Sequence, residues 1–345
     1  MKRTLKKMPE PLLAWYNQNK RDLPWRKNHD PYRVWISEIM LQQTRVEAVV
    51  GYYDRFLKTF PDIASLANAD DNQLMKCWEG LGYYSRARNL KKAASEILTR
   101  HNGVFPSDFE SIRNLTGIGP YTAGAVASIC FSHKKAAVDG NVLRIVSRIT
   151  NSFEPIDAPQ TKKDITQALE NIYPDAAGDF TQSMMELGAT VCIPKSPRCE
   201  NCPVADICKS KKAGTQKELP VKSPKKDKKI QQKTVFLLKF EDKLALCKRE
   251  DTGLLASLWQ LPNTDGHLSV SQAIAYAESL KVVPYEVISR VEKQHIFTHI
   301  KWEMVGYTLL CRACPDQENL LWADADEIRE KYALPTAFRQ FLEIE

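Results

Sequence analysis

No apolar run in this 345-residue chain approaches the roughly 20 residues needed to span a bilayer. The opening Met1-Lys-Arg-Thr-Leu-Lys-Lys leads into charged sequence where a secretory leader would need an apolar core. A cytoplasmic protein without a membrane partner is therefore expected. No internal repeat recurs at a solenoid period. The nine cysteines are odd in number and unevenly spaced, which argues against a disulfide framework. A general basic excess is missing too. The net charge is +7, but Lys209 to Lys233 holds ten lysines against Glu218 and Asp227, so the remainder is close to neutral. Such a run reads as a solvated linker, with phosphate tracking as a secondary role. What remains is a chain with 43% apolar and 26% charged residues, long enough for two or three globular domains.

The most informative stretch is Leu115-Thr116-Gly117-Ile118-Gly119-Pro120-Tyr121-Thr122-Ala123. Upstream, Ser107 and Glu110 form a capping-box pattern for a short helix with Phe109 and Ile112 on one face. Downstream, Pro120 suits the first position of a second helix, whose Ala123, Gly124, Ala125 and Ala127 permit close packing. Gly117 and Gly119 allow positive φ and bare N–H groups at a helix start, where a phosphate oxygen can sit. Glycines so placed also cap ordinary helix corners. Next, Ala136-Ala137-Val138 runs into Asp139-Gly140-Asn141 and a helix through Val142, Leu143, Ile145, Val146 and Ile149. Asp139 at that helix start is a plain N-cap or an aspartate kept ionised by the dipole and free N–H groups. Hairpin and aspartate together resemble the DNA glycosylases of the endonuclease III superfamily, whose catalytic aspartate follows the hairpin in this way.

Other stretches extend the resemblance. Residues 9 to 20 form an amphipathic pattern, and Leu23-Pro24-Trp25-Arg26 reads as an extended loop. Val34 to Leu41 is apolar almost all round, the mark of a buried helix, and Glu38 is its only acid. Desolvation would raise its pKa and keep a proton available for general-acid work. The alternative is that Glu38 faces solvent or pairs with Arg33. Ser37-Glu38-Ile39-Met40-Leu41-Gln42-Gln43-Thr44 resembles the corresponding run of the adenine DNA glycosylases. That resemblance implies Glu38 as the acid and Gln43 as a wedge into the duplex, with Leu41 and Thr44 beside it. It also implies that Arg26 lies near the base pocket. Trp78 to Arg88 carries aromatics and arginines on a glycine-rich turn, suited to stacking and phosphate contact or to core packing. The resemblance assigns Tyr83 to the base stack and Leu81 to the neighbourhood of the damaged base. Strand-cleaving relatives carry a lysine where this chain has Tyr121, and a phenol cannot form a Schiff base. Tyr121 and Asn141 are thereby implied as supports for Asp139. Gln182 offers the donor and acceptor that read an adenine edge, and it matches the family's base-reading position.

Cys192, Cys199, Cys202 and Cys208 are separated by six, two and five residues, a metal-ligand set compatible with zinc or an iron–sulfur cluster. The spacing resembles the 4Fe-4S loop of the superfamily in all three intervals. Lys195 and Arg198 lie in the first interval and can contact phosphate. Cys311-x-x-Cys314 reads as fortuitous. Beyond the lysine run the sequence turns to strands at Val235–Phe240 and Leu244–Lys248, a helix over 271 to 280, and further strands to Leu310. This α/β piece resembles the Nudix-like C-terminal domain of adenine glycosylases but lacks a glutamate-rich, magnesium-binding helix. It reads as a recognition module. His295-Ile296-Phe297-Thr298-His299 lies between two strands, with Phe297 and His299 expected on one face. It resembles the family's Phe-Ser-His loop that checks for 8-oxoguanine, with Thr298 in place of serine.

The resemblance implies a mostly α fold: a helix-hairpin-helix glycosylase with an iron–sulfur loop over 1–208, joined to a Nudix-like α/β domain. The six-helix lobe would span about 27–133, and the cluster-bearing lobe 1–26 with 134–208. A linker over 209–232 would lead to the recognition domain at 233–345. The implied activity is excision, by a monomer, of adenine mispaired with 8-oxoguanine or guanine in duplex DNA, which would tie the protein to the nucleoid. Two alternatives are an endonuclease III-like glycosylase and lyase acting on oxidised pyrimidines, and a non-catalytic damage-binding protein.

Overall fold

The computed structural model describes residues 2–224, 227–312 and 319–342. It divides into two compact units, one of residues 1–68 and 89–224, the other of residues 69–88 and 225–345. Cys314 of the Cys311-x-x-Cys314 pair and Lys225 and Lys226 of the lysine run lie outside the described residues.

The first unit is helical. Its helix Pro31–Leu41 begins where Asp30 accepts the Tyr32 N–H at 2.9 Å and Pro31 occupies the first helical position. Eight of its eleven residues are buried, Glu38 among them. In the hairpin, Phe109–Arg113 leads to Pro120–Phe131. The first of these is capped by Asp108, which accepts the Ser111 N–H at 2.9 Å, so the expected cap at Ser107 lies one residue too early. A carboxylate adjacent to the hydroxyl takes the cap because it is the stronger acceptor. Gly117 has φ +78°, and an added Cβ would stand 2.6 Å from the Asn89 side chain. Gly119 has ordinary φ (−86°), so only one of the two glycines supplies the left-handed turn. Leu23 to Arg26 is likewise corrected: Pro24–Arg26 winds into a 3-10 turn rather than an extended loop.

The helices Gly140–Thr150 and Ala177–Thr190 share a core built from Leu143, Val146, Ile149, Phe180, Met184 and Leu187. Part of the lysine-rich stretch belongs to this unit and is folded: Lys209–Ala213 is helical, Leu219 is buried, and Val221 accepts the Ile156 N–H at 3.0 Å. Its lysines stay exposed, but its backbone is not a free spacer.

The second unit is built on one mixed sheet, ordered β3-β2-β1-β6-β5. Its strands are β1 (Lys229–Phe240), β2 (Lys243–Lys248), β3 (Trp259–Gln260), β4 (Asn263–Asp265), β5 (Pro284–Ile296), β6 (Ile300–Cys311) and β7 (Leu321–Ala323). β1 starts inside the expected linker and runs parallel to β6 from Lys229 opposite Ile300. Alternation along β1 sends Val235 and Leu237 to one face, against Phe338 and Phe341. Phe236 and Leu238 go to the other, against Ala273 and Ala277 of the helix Val270–Ser279. The segment 69–88, expected within the six-helix lobe, packs here. Lys76 Nζ donates to the carbonyls of Ile328 (3.1 Å) and Tyr332 (3.2 Å), and Glu79 Oε1 accepts the Leu334 N–H at 2.9 Å. Arg88 Nη1 donates to the Ala256 carbonyl at 2.7 Å.

One close approach sets the position of Asp139. A Cβ on Gly124 would meet the Ala136 carbonyl oxygen at 2.5 Å, so the helix Pro120–Phe131 lies against the bare backbone leading to the aspartate. Gly124→Ala is expected to cost about 1–3 kcal/mol, read as a lowered midpoint in thermal or denaturant unfolding.

Candidate active site

The first unit encloses a cavity of about 160 Å³ lined by Arg26, Glu38, Leu41, Thr44, Tyr121, Asp139, Asn141 and Gln182, with Arg21 and Trp25 at its wall. Cavities of about 520 and 800 Å³ lie elsewhere, but neither is lined by a buried carboxyl.

Glu38 is 4% exposed and accepts a 2.7 Å hydrogen bond at Oε2 from Tyr121 Oη. Arg33, its candidate partner in sequence, pairs with Asp30 instead, at 3.5 Å. Burial pushes the Glu38 carboxyl up to about 7. The Tyr121 hydrogen bond and Arg26 oppose this, and the charge of Asp139 reinforces it.

Asp139 caps the helix Gly140–Thr150. Its Oδ1 accepts the Val142 N–H at 2.8 Å and its Oδ2 accepts Asn141 Nδ2 at 2.7 Å. Helix-start donors were expected to lower its pKa at an exposed position. Burial instead wins, and the carboxyl stands above its ordinary value although Val142, Asn141 and Arg144 all pull down. Asn141 is held in turn by Arg144, whose Nη2 donates to Asn141 Oδ1 at 2.9 Å and to the Gly188 carbonyl at 2.8 Å. Arg144 Nε reaches the Cys192 carbonyl at 2.7 Å.

Four sequence-selected cysteines, Cys192, Cys199, Cys202 and Cys208, line one cavity. Arg148 Nη1 donates to Cys192 Sγ at 3.4 Å. Burial pushes the Cys202 thiol up to about 12, and the other three cysteines add to it. Among the described residues no three His, Cys, Asp or Glu side chains converge as a single ion requires. Four thiols lining one cavity suit a polynuclear cluster with one thiolate per iron.

The remaining candidates divide by unit. Gln43 is exposed at φ +58° just past the helix Pro31–Leu41, with Leu41 and Thr44 half-buried beside it. In the second unit, Leu81, Tyr83, Phe297, Thr298 and His299 line one cavity of about 530 Å³. Tyr83 is exposed at φ +47°, and its Oη lies 2.9 Å from Thr298 Oγ1. Phe297 packs edge-on against Trp302, ring centres 4.9 Å apart, whereas His299 is exposed. Both residues sit on the turn between β5 and β6 and line the same cavity.

With this geometry the comparisons are specific. Residues 36–175 match the HhH-GPD superfamily of base excision DNA repair proteins, 192–208 the iron-sulfur binding domain of endonuclease III, and 234–344 the NUDIX domain. The chain is 31% identical to the adenine DNA glycosylase of Mus musculus over 96% of its own length and 77% of that protein. The adenine DNA glycosylase of Buchnera aphidicola subsp. Baizongia pistaciae is 35% identical over 73% of this chain and 72% of its own. This chain belongs to the adenine DNA glycosylase family. A thermostable thymine-DNA glycosylase of known structure superposes with a TM-score of 0.56 at 28% identity, covering 61% of this chain and 98% of that one. As an adenine DNA glycosylase the protein acts on DNA in base excision repair, and the match over 192–208 makes it an iron–sulfur protein with one 4Fe-4S cluster.

Sequence reasoning missed two groups of this glycosylase. Arg144 joins the Asn141 side chain to the Cys192 carbonyl. Glu186 is fully buried and holds Arg21 and Arg26 at the cavity wall. Its signal was available, since Met184-Met185-Glu186-Leu187 repeats the pattern of a single acid in an apolar run seen at Glu38.

Two outcomes follow from this geometry. A Cβ on Gly188 would lie 2.6 Å from Asn141 Cβ, so Gly188→Ala should displace Asn141 from Asp139 and lower adenine excision about tenfold or more, measured in single turnover. The Glu38 carboxyl binds its proton more tightly folded than unfolded, so its contribution is full below about pH 4.5 and is lost as pH rises through about 7. Relative to the native protein, Glu38→Gln should therefore gain stability across that window, by about 3 kcal/mol at most. Paired unfolding curves at pH 5 and pH 8 measure the gain.

Proposed function

We propose that this glycosylase excises adenine mispaired with 8-oxoguanine, and with guanine, in duplex DNA by acid-assisted hydrolysis of the N-glycosidic bond. The observation that carries the reading is the 2.7 Å Tyr121–Glu38 hydrogen bond in a cavity that also holds Asp139. The target nucleotide leaves the base stack and enters the cavity, where Gln182 offers an amide to the adenine edge. Glu38, with a pKa near 7, gives its proton to the adenine ring and weakens the bond to C1′. Electrons of that bond leave with the base, and positive charge develops on the sugar. Asp139, in its ionised form, stabilises or briefly captures the sugar, and water completes the abasic product. Asn141 and the Val142 N–H orient the aspartate.

Tyr121 has no amine, so the reaction stops at base release without a Schiff-base step. Cys192, Cys199, Cys202 and Cys208 would hold the 4Fe-4S cluster. With all four thiolates bound, such a cluster supplies structure and charge rather than a site for water. Tyr83, Thr298 and their neighbours would read the 8-oxoguanine opposite the excised adenine, with the Thr298 hydroxyl in the place of the family's serine hydroxyl.

In single-turnover assays Glu38→Gln and Asp139→Asn should each slow excision by about 100-fold or more while DNA affinity is largely kept. The native rate should fall as pH rises through about 7, as the Glu38 proton is lost. Excision should be fastest opposite 8-oxoguanine, slower opposite guanine and slowest opposite thymine. Equal rates on the three duplexes would refute the assigned specificity, and an active Glu38→Gln the mechanism.

A further inference from the structure

Glu186 takes no part in the steps above, yet its carboxylate accepts three hydrogen bonds from two arginines. Its side chain has no solvent exposure. Arg21 grips both oxygens, Nε to Oε1 at 2.6 Å and Nη2 to Oε2 at 3.1 Å. Arg26 Nη2 adds a 2.7 Å bond to Oε2. Arg26 is fixed further by a 3.2 Å bond from Nη1 to the Arg21 carbonyl, and its guanidinium stands 5.7 Å from the centre of the Tyr16 ring. Two cations thus share one buried anion, and both line the cavity that holds Glu38 and Asp139.

We propose that Glu186 is a positioning residue for base excision: it holds Arg26 at the cavity wall and offsets its charge, so that Glu38 keeps a proton to donate. The inference rests on Glu38 as the proton donor.

The groups that act on Glu38 come from three elements. Tyr121 reaches it from the helix Pro120–Phe131, whose Cys130 thiol also feels its charge, Asp139 from the start of Gly140–Thr150, and Arg26 from the turn Pro24–Arg26. Of these only Arg26 is a cation, and it favours the ionised form of Glu38. Glu186 limits that influence in two ways. Its negative charge leaves a net charge of one, not two, on the triad. Its hydrogen bond also keeps the Arg26 guanidinium occupied. Once Glu186 is neutral, the carboxyls that remain for Arg26 on the cavity wall are Glu38 and Asp139. An arginine that turns to Glu38 would hold it ionised and unable to protonate adenine.

The test is the pH dependence of single-turnover adenine excision by the full chain, for the native protein and for Glu38→Gln, Glu186→Gln and Arg26→Met. Folding is checked by circular dichroism and by the visible absorption of the cluster. For Glu186→Gln the alkaline limb should move toward acid by about one pH unit, with much of the native rate recovered at the acid end, which general loosening of the fold would not give. Arg26→Met should move the limb the opposite way. A Glu186→Gln limb that coincides with the native one overturns the proposal, as does an Arg26→Met limb that stays put or moves toward acid. Should Glu186→Gln not fold, Arg26→Met alone decides. An active Glu38→Gln removes the mechanism itself. An inactive Glu38→Gln beside an unmoved Glu186→Gln profile removes only the role of Glu186.

Discussion

Removing a carboxyl from water leaves it two stable conditions, protonated or matched by cations, and the catalytic unit uses both. Glu38 and Glu186 each sit in an apolar helical run and are each almost wholly buried. Glu38 meets a phenol, and its proton affinity rises. Glu186 meets two guanidiniums, which hold its pKa below the usual value even though burial opposes them. The difference lies in what the neighbouring loop brings. Arg21 and Arg26 both precede the helix that carries Glu38, and both turn toward Glu186 instead. One cavity is thereby lined by an acid of raised proton affinity and by an anchored cation.

Asp139 shows a third condition. It has donors on both oxygens, yet burial still raises its pKa. The neighbouring glycines account for how it is placed. Gly124 lets a helix lie on the strand-like lead into the aspartate, and Gly188 leaves room for the Asn141 side chain. Arg144 then ties Asn141 to the backbone of Cys192. The cysteine loop and Asp139 are consequently supported by one hydrogen-bonded chain of side chains.

Local chemistry was readable from sequence and tertiary charge was not. The apolar run around Glu38, the glycine-punctuated hairpin, the cap at Asp139 and the four cysteines each announce themselves within a few residues. Their elements form close to where periodicity places them. The electrostatic outcome at Asp139 depends on how deeply other helices bury it, which helix-end donors do not report. Glu186 and its arginines are 160 and 165 residues apart in sequence, so nothing local pairs them. The lysine-rich stretch misled in another way. Its lysines between 209 and 222 do face water, but buried Leu219, the carbonyl of Val221 and an early start to β1 give its backbone fixed partners. Composition describes side chains and is silent on where backbone hydrogen bonds go.

The attachment of residues 69–88 to the sheet-bearing unit has a consequence for modular exchange of parts. Lys76, Glu79 and Arg88 bind main-chain groups of that unit, and Tyr83 meets Thr298 within it. The sheet-bearing body is thus discontinuous in the gene, with one piece encoded between two stretches of the helical unit. A chimera joined at a single point near residue 229 would splice two ancestries into one folding body. A faithful graft has to carry both pieces, cut on either side of 69–88 as well as before β1.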